Sequence, residues 1–175
     1  MIIVFTGNGK GKTTAALGQA MRVLGHGKNA LVVQFLKGPW RSGEDEFAKK
    51  FCIPPEKFRI KKMGLGFVGI LGDTLPREEH AKAALKALAY FKSELKNGKW
   101  HLIVLDEINV AVSLGLLKPA EVIKAIKNFP EDKILVLTGR HAPEKFVKLA
   151  DLVTEMREIK HPYGRGKKGR VAAEF

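Results

Sequence analysis

Met1-Ile2-Ile3-Val4-Phe5-Thr6-Gly7-Asn8-Gly9-Lys10-Gly11-Lys12-Thr13-Thr14 stands at the head of the sequence and decides its reading. Five apolar residues make a strand, and the residues after Lys12 carry the spacing of an amphipathic helix. Between them lie three alternating glycines. Such a loop turns successive backbone N–H groups toward one point without Cβ interference, and the helix aims its positive end at the same point. The stretch from Gly7 through Asn8, Gly9, Lys10, Gly11, Lys12, Thr13 and Thr14 is therefore read as a phosphate-binding loop. Lys12 supplies a mobile point charge, and the Thr13 hydroxyl a ligand for Mg²⁺. The usual pattern has Gly or Ala where this chain has Thr6, so the loop is a variant whose first glycine comes one place late.

Outward from the loop, Ala16, Leu17, Ala20, Met21 and Leu24 repeat at i, i+3/i+4, as in a helix packed on a sheet. Residues 30–36 form a continuous apolar run, the signature of a strand covered on both faces, and are expected to pair in parallel with the first strand across a right-handed crossover. A short helix over 42–51, a weaker strand over 57–62 and a long alanine-rich helix over 76–95 follow. Trp100 to Leu105 then runs apolar into Asp106 and Glu107. A buried strand ending in two carboxylates is the partner that a phosphate-binding loop requires, because Mg²⁺ takes hard oxygen ligands and usually only one or two from protein. The alternative is a chance helix N-cap. Two short helices, a strand over 133–138, a helix over 143–149 and an edge strand over 151–159 complete a strand-helix alternation. The pattern predicts an α/β three-layer fold with a mostly parallel sheet, of the nucleoside-triphosphatase type with a phosphate-binding loop. No linker or repeat interrupts it, so residues 1–175 read as a single nucleotide-binding domain.

Size and composition narrow the function classes. A chain of 175 residues can bury about 70% of its unfolded surface without covalent staples. The lone cysteine, Cys52, excludes an internal disulfide framework and reads as a core or buried-turn thiol in a reducing compartment, so a cytoplasmic location is expected. No apolar run reaches the roughly 18 residues of a membrane helix, and the first strand leaves no stretch for a signal peptide. The net charge of +13 raises the question of nucleic acid. Most of the lysines are dispersed, and Lys82, Lys86, Lys92 and Lys96 read as one solvated helix face. Only Arg165, Lys167, Lys168 and Arg170 form a dense run, interleaved with glycine and not with aromatics, which argues against a base-reading surface.

The run VFTGNGKGKTTAALGQAMRVLGHG (residues 4–27), followed by VVQFLKG (32–38), VLDEIN (104–109), LTGRHAP (137–143) and ADLVTEMREIKHP (150–162), resembles the ATP:cob(I)alamin adenosyltransferases of the type with a phosphate-binding loop. The stretches cover most of the chain in that family's order. The resemblance implies transfer of the 5′-deoxyadenosyl group of ATP to the cobalt(I) of a reduced corrinoid, with release of triphosphate, in cobalamin synthesis or corrinoid salvage. It implies Mg²⁺ or Mn²⁺ as cofactor, ATP lying reversed relative to hydrolases, a homodimer, and a reductant protein such as a flavodoxin. It suggests Glu107 as the nearer metal ligand with Asp106 acting through water, Arg22 near the nucleotide, and the Gly66-Phe67 pair where an aromatic ring meets the corrin. Where the family commonly has a tryptophan two residues further on, this chain has Gly69. The segment that members often carry ahead of the first strand, implied to help close the nucleotide site, has no counterpart in this sequence. Arg140, at a strand's C-terminal end, reads as a triphosphate contact, a contact to the corrin's amide rim, or a plain loop cation.

Glycines at 64, 66, 69 and 72 among Leu65, Phe67, Val68, Ile70 and Leu71 leave two readings of residues 63–75: a hydrophobic loop tucked under a neighbour, or a mobile lid over a large flat apolar ligand. Fold alone also admits a nucleotide-dependent motor or a kinase-like ATPase acting at the γ-phosphate. The products separate these functions, since triphosphate marks adenosyl transfer whereas phosphate or ADP marks the alternative.

Overall fold

The computed structural model describes residues 1–70 and 72–161; the basic run from Arg165 to Arg170 lies outside them. The elements run β1 (Ile2–Thr6), α1 (Lys12–Gly25), β2 (Ala30–Gln34), α2 (Gly43–Lys50), β3 (Phe58–Lys62), α3 (Arg77–Asn97), β4 (Leu102–Asp106), α4 (Ile108–Ser113), α5 (Pro119–Ile126), β5 (Ile134–Thr138), α6 (Glu144–Leu149) and β6 (Leu152–Glu155). The six strands form one parallel sheet in the order β3-β2-β4-β5-β1-β6. Its four central strands are those whose sequences are continuous apolar runs. On one face Ala16, Ala20 and Val23 of α1 pack on Ile3, Phe5, Val32, Val104 and Val136. On the other, Ala84, Leu88 and Phe91 of α3, Ile108, Val122 and Phe146 close a larger core. The expected three layers are present, and no helix among the described residues is long and apolar enough to cross a membrane.

The expected pairing of β1 with β2 does not occur. β2 hydrogen-bonds to β3 and β4, while β1 lies between β5 and β6. The connecting helix allows this: at about 1.5 Å per residue the 14 residues of α1 reach about 21 Å, and three strand spacings need only about 14 Å. α1 therefore crosses over β5 and β4 before the chain enters β2. Cys52 also departs from expectation, being exposed and in a left-handed conformation with φ 50°. The turn it occupies follows α2, a helix with no fully buried residue, and it is the neighbouring Ala48 and Ile53 that pack on the core.

Residues 63–66 run along the chain leaving β2. Met63 and Gly64 donate their N–H groups to Gln34 O, and Gly66 donates to Leu36 O at 2.9 Å. A Cβ on Gly64 would stand 2.3 to 2.5 Å from the Leu36 backbone, so this approach requires glycine. Gly64→Ala is expected to lower stability by the roughly 1–3 kcal/mol of an overpacked site. Gly25→Ala, at the exposed end of α1 with nothing within 4 Å of its added methyl, should raise it by up to about 0.5–1 kcal/mol. Denaturant unfolding of the two variants measures both signs.

Candidate functional site

The phosphate-binding loop is fixed from two sides. Gly7 and Gly11 have φ of 93° and 112°, and Gly9 donates its N–H to Met156 O at 2.6 Å in the chain leaving β6. A Cβ on Gly7 would fall 2.4 Å from Met156 O, and one on Gly9 2.7 Å from the Arg157 backbone. The alternating glycines thus serve close packing of the loop under residues 155–157 as well as access for a phosphate. Gly11 caps α1 without a side-chain hydrogen bond, which leaves the N–H groups of the helix's first turn for an anion. Lys12 is buried and turns its ammonium back on the loop, donating to Gly7 O at 2.8 Å and Gly9 O at 2.6 Å. Burial lowers its pKa and Arg140 lowers it further, against the opposing charge of Glu107.

The two acids differ in environment. Asp106 is fully buried at the end of β4, and its Oδ1 accepts from the Thr13 and Thr138 hydroxyls, each at 2.8 Å, while Oδ2 accepts from Gln34 Nε2 at 3.2 Å. Glu107 adopts φ 61° as the N-cap of α4 and donates its N–H to Thr138 Oγ1 at 2.9 Å. That turn sends its carboxyl into the cavity, beside Gly139, where a Cβ would stand 3.1 Å from Glu107 Oε2. Burial first and the neighbouring Asp106 second push the Glu107 carboxyl up to about 7, against the attraction of Lys12, Arg140 and Lys37.

A cavity of about 720 Å³ opens above these groups. The loop from Asn8 to Thr14 lines it, together with Lys37, Glu44, Phe47, Glu107 and Arg140. The loop residues and Glu107 thus share one cavity, and Asp106 lies beneath it. Arg22 does not join them: it is exposed on α1, which gives the lining Leu17, Met21 and Leu24 instead. Phe67 lies outside the lining as well, 51% exposed beside Trp40. The loop around it is tucked in only in part: Met63 and Val68 pack against the core, whereas Leu65 and Ile70 are exposed. Gln34 and Thr138 escape a reading by motif, although each is the single polar residue ending an apolar strand. Lys37 and Glu44, an ion pair across the β2–α2 connection, carry no comparable signal.

The donor set fits a hard divalent cation. Thr13, Asp106 and Glu107 bring a hydroxyl and two carboxyl groups to one end of the sheet, and Asp106 already holds the Thr13 side chain in place. Among the described residues no group of three or more His, Cys, Asp and Glu gathers anywhere, so an ion here would share its shell with phosphate oxygens and water.

Comparison with known proteins agrees with this geometry. The family described as ATP:corrinoid adenosyltransferase BtuR/CobO/CobP matches residues 1–175. The Escherichia coli (strain K12) protein named corrinoid adenosyltransferase is 37% identical over 175 residues, covering 100% of this chain and 85% of its own length. A Salmonella typhimurium protein, corrinoid adenosyltransferase CobA, is 38% identical with the same coverage. A corrinoid adenosyltransferase of Pseudomonas aeruginosa is 38% identical over 100% of this chain and 83% of its own length. Matched over residues 1–175, with its phosphate-binding loop and Glu107 lining one cavity, the chain belongs to the ATP:corrinoid adenosyltransferase family.

Proposed function

We infer that the protein transfers the 5′-deoxyadenosyl group of ATP to the cobalt(I) of a reduced corrinoid and releases triphosphate. The observation that carries this is the end-to-end family match on a chain whose phosphate-binding loop and Lys12 line a cavity of about 720 Å³. Cobalt(I) attacks the ribose C5′, a cobalt–carbon bond forms, and the C5′–oxygen bond breaks with its electron pair on the triphosphate. A nucleophile of this strength needs no protein base. The protein's tasks are to align C5′ with cobalt and to stabilise the charge that develops on the leaving oxygen. The first-turn amides of α1 and the Lys12 ammonium perform the second task. Lys12 exchanges two carbonyl dipoles, those of Gly7 and Gly9, for the full charge of the phosphates. Arg140 reaches the same cavity and adds to its positive potential. Arg22, exposed and outside the lining, serves at most the outer rim.

Mg²⁺ or Mn²⁺ would be held by Thr13 and Glu107, with Asp106 acting through Thr13 or through water, and when bound it neutralises phosphate charge. Glu107 is the better direct ligand because its carboxyl faces the cavity, whereas Asp106 already accepts from three protein donors. Phe67, exposed at the end of the sheet that holds the cavity, is a residue for the corrin side of the reaction. A cobalt(II) corrinoid must gain an electron before it attacks, and a net charge of +13 suits an acidic electron carrier such as a flavodoxin. The homodimer implied by the resemblance belongs to the same reading.

An anaerobic assay with ATP and chemically reduced cobalamin, following loss of the cobalt(I) absorption and identifying the phosphate product, tests the function. Triphosphate is expected; phosphate or ADP would assign the chain to γ-phosphate chemistry. In this assay Lys12→Ala should lose about 10²–10³-fold in rate, the usual effect of removing one preorganised donor from a site of developing charge. Wild-type turnover in that variant would remove its role.

Glu107 gives two further outcomes. Glu107→Gln should raise the half-saturating metal concentration more than Asp106→Asn does, and equal shifts would overturn the ligand assignment. In the unliganded protein the Glu107 pKa is raised from 4.5 to about 7, so the folded state holds a proton that the unfolded chain has released. Its contribution to stability is complete below about pH 4.5 and is lost as the pH rises through about 7. Unfolding measured between pH 5 and 8 should follow that decline in the wild type, and Glu107→Gln should flatten it.

A further inference from the structure

Trp40 is 60% exposed, yet its ring is closely packed on one side. It lies over the backbone of two glycines: a Cβ on Gly38 would stand 2.7 Å from the ring, and one on Gly66 2.6 Å. The Trp40 carbonyl accepts from Lys62 Nζ, and Lys62 is in turn ion-paired with Asp45. Phe67 stands beside the ring at a centroid distance of 5.9 Å and a tilt of 34°. Two large aromatic rings thus stand side by side at the surface, with Leu65 and Ile70 also exposed, at 40% and 59%. Neither ring belongs to the core, and a group of exposed apolar side chains rather than a single one is what marks a binding surface.

Its place in the chain says which one. Lys37 and Glu44, which bracket Trp40 in sequence, both line the nucleotide cavity, so the aromatic pair and the cavity are built on one connection. The loop from Gly64 to Gly66 is hydrogen-bonded to the end of β2 at Gln34 O and to that connection at Leu36 O. An acceptor whose metal must meet C5′ of a nucleotide in the cavity has to lie across this rim, and a corrin is a flat macrocycle with apolar faces. We propose that Trp40 is a corrinoid-contacting residue, forming with Phe67 one aromatic platform whose geometry is set by Gly38 and Gly66. The proposal rests on the adenosyltransfer reading and adds to it a residue on the β2–α2 connection, outside the glycine-rich loop.

Steady-state kinetics with chemically supplied cob(I)alamin, together with equilibrium binding of hydroxocobalamin to the ATP-loaded protein, tests it. Trp40→Ala should raise the corrinoid KM and Kd by on the order of tenfold, the loss of one aromatic contact and its apolar area, and leave the ATP KM unchanged. Trp40→Phe should recover most of that loss. Gly38→Ala keeps the tryptophan but pushes a methyl against its ring, and should reproduce the corrinoid-selective defect. Equal rises in both KM values with a lowered melting temperature would reduce Trp40 to a structural residue and overturn the proposal. So would an unchanged corrinoid Kd, including the case in which only turnover with a protein reductant suffers and the patch is a docking surface for that reductant. Hydroxocobalamin binding by the wild type without adenosylation would sink the functional reading instead, and the Trp40 variants would still be decided by their Kd.

Discussion

Asp106 is the point on which the rest of the site depends. Its buried carboxyl accepts hydrogen bonds from Thr13 at the start of α1, Thr138 at the end of β5 and Gln34 at the end of β2. A carboxyl taken out of water is tolerated only when such partners replace the lost hydration. Here the partners come from three elements besides β4, the strand that carries it. One side chain thereby ties the phosphate-binding helix to three strand ends and fixes the height of Lys12 and Thr13 above the sheet. It also stands next to Glu107, whose own proton affinity it raises, so the group that anchors the architecture tunes the group that faces the cavity.

Around that junction the backbone is brought unusually close to itself. The loop from Gly7 to Gly11 lies under the chain leaving β6, and the loop from Gly64 to Gly66 rides on the chain leaving β2. Both contacts are made at the C-terminal ends of parallel strands, where open α/β sheets place their ligands. The two loops give the rim of the cavity different characters. The side toward β1 carries Lys12, Arg140 and the N-terminus of α1, which suits a polyphosphate. The side toward β2 and β3 carries Phe47, Trp40 and Phe67, which suits an apolar ring. A reaction that moves an adenosyl group from a triphosphate ester onto a flat macrocycle needs both kinds of surface on one rim.

Much of this was legible in the sequence, and for a local reason. Strand, loop and helix from Met1 to Leu24 follow from neighbours within a few residues of each other, and the pair Asp106-Glu107 at the end of an apolar run states its own place at a strand terminus. Burial of β1, β2, β4 and β5 on both faces is written in their unbroken apolar character. The sequence by itself therefore determined the layers, the phosphate-binding loop and the acids at the strand end, because each rests on short-range periodicity or on residue chemistry.

Strand order was decided only in the folded chain. Any two buried apolar strands offer the same backbone donors and acceptors, so nothing local says that β4 and β5 separate β2 from β1. The same long-range choice brings Gln34 and Thr138 onto Asp106, leaves Arg22 exposed outside the cavity lining, leaves Cys52 on the surface after a helix with no fully buried residue, and lays Trp40 across two glycines 28 residues apart in sequence, Gly38 and Gly66. Each of these depends on which distant backbone comes within a few ångströms, a property of the packed sheet that no single stretch of residues contains.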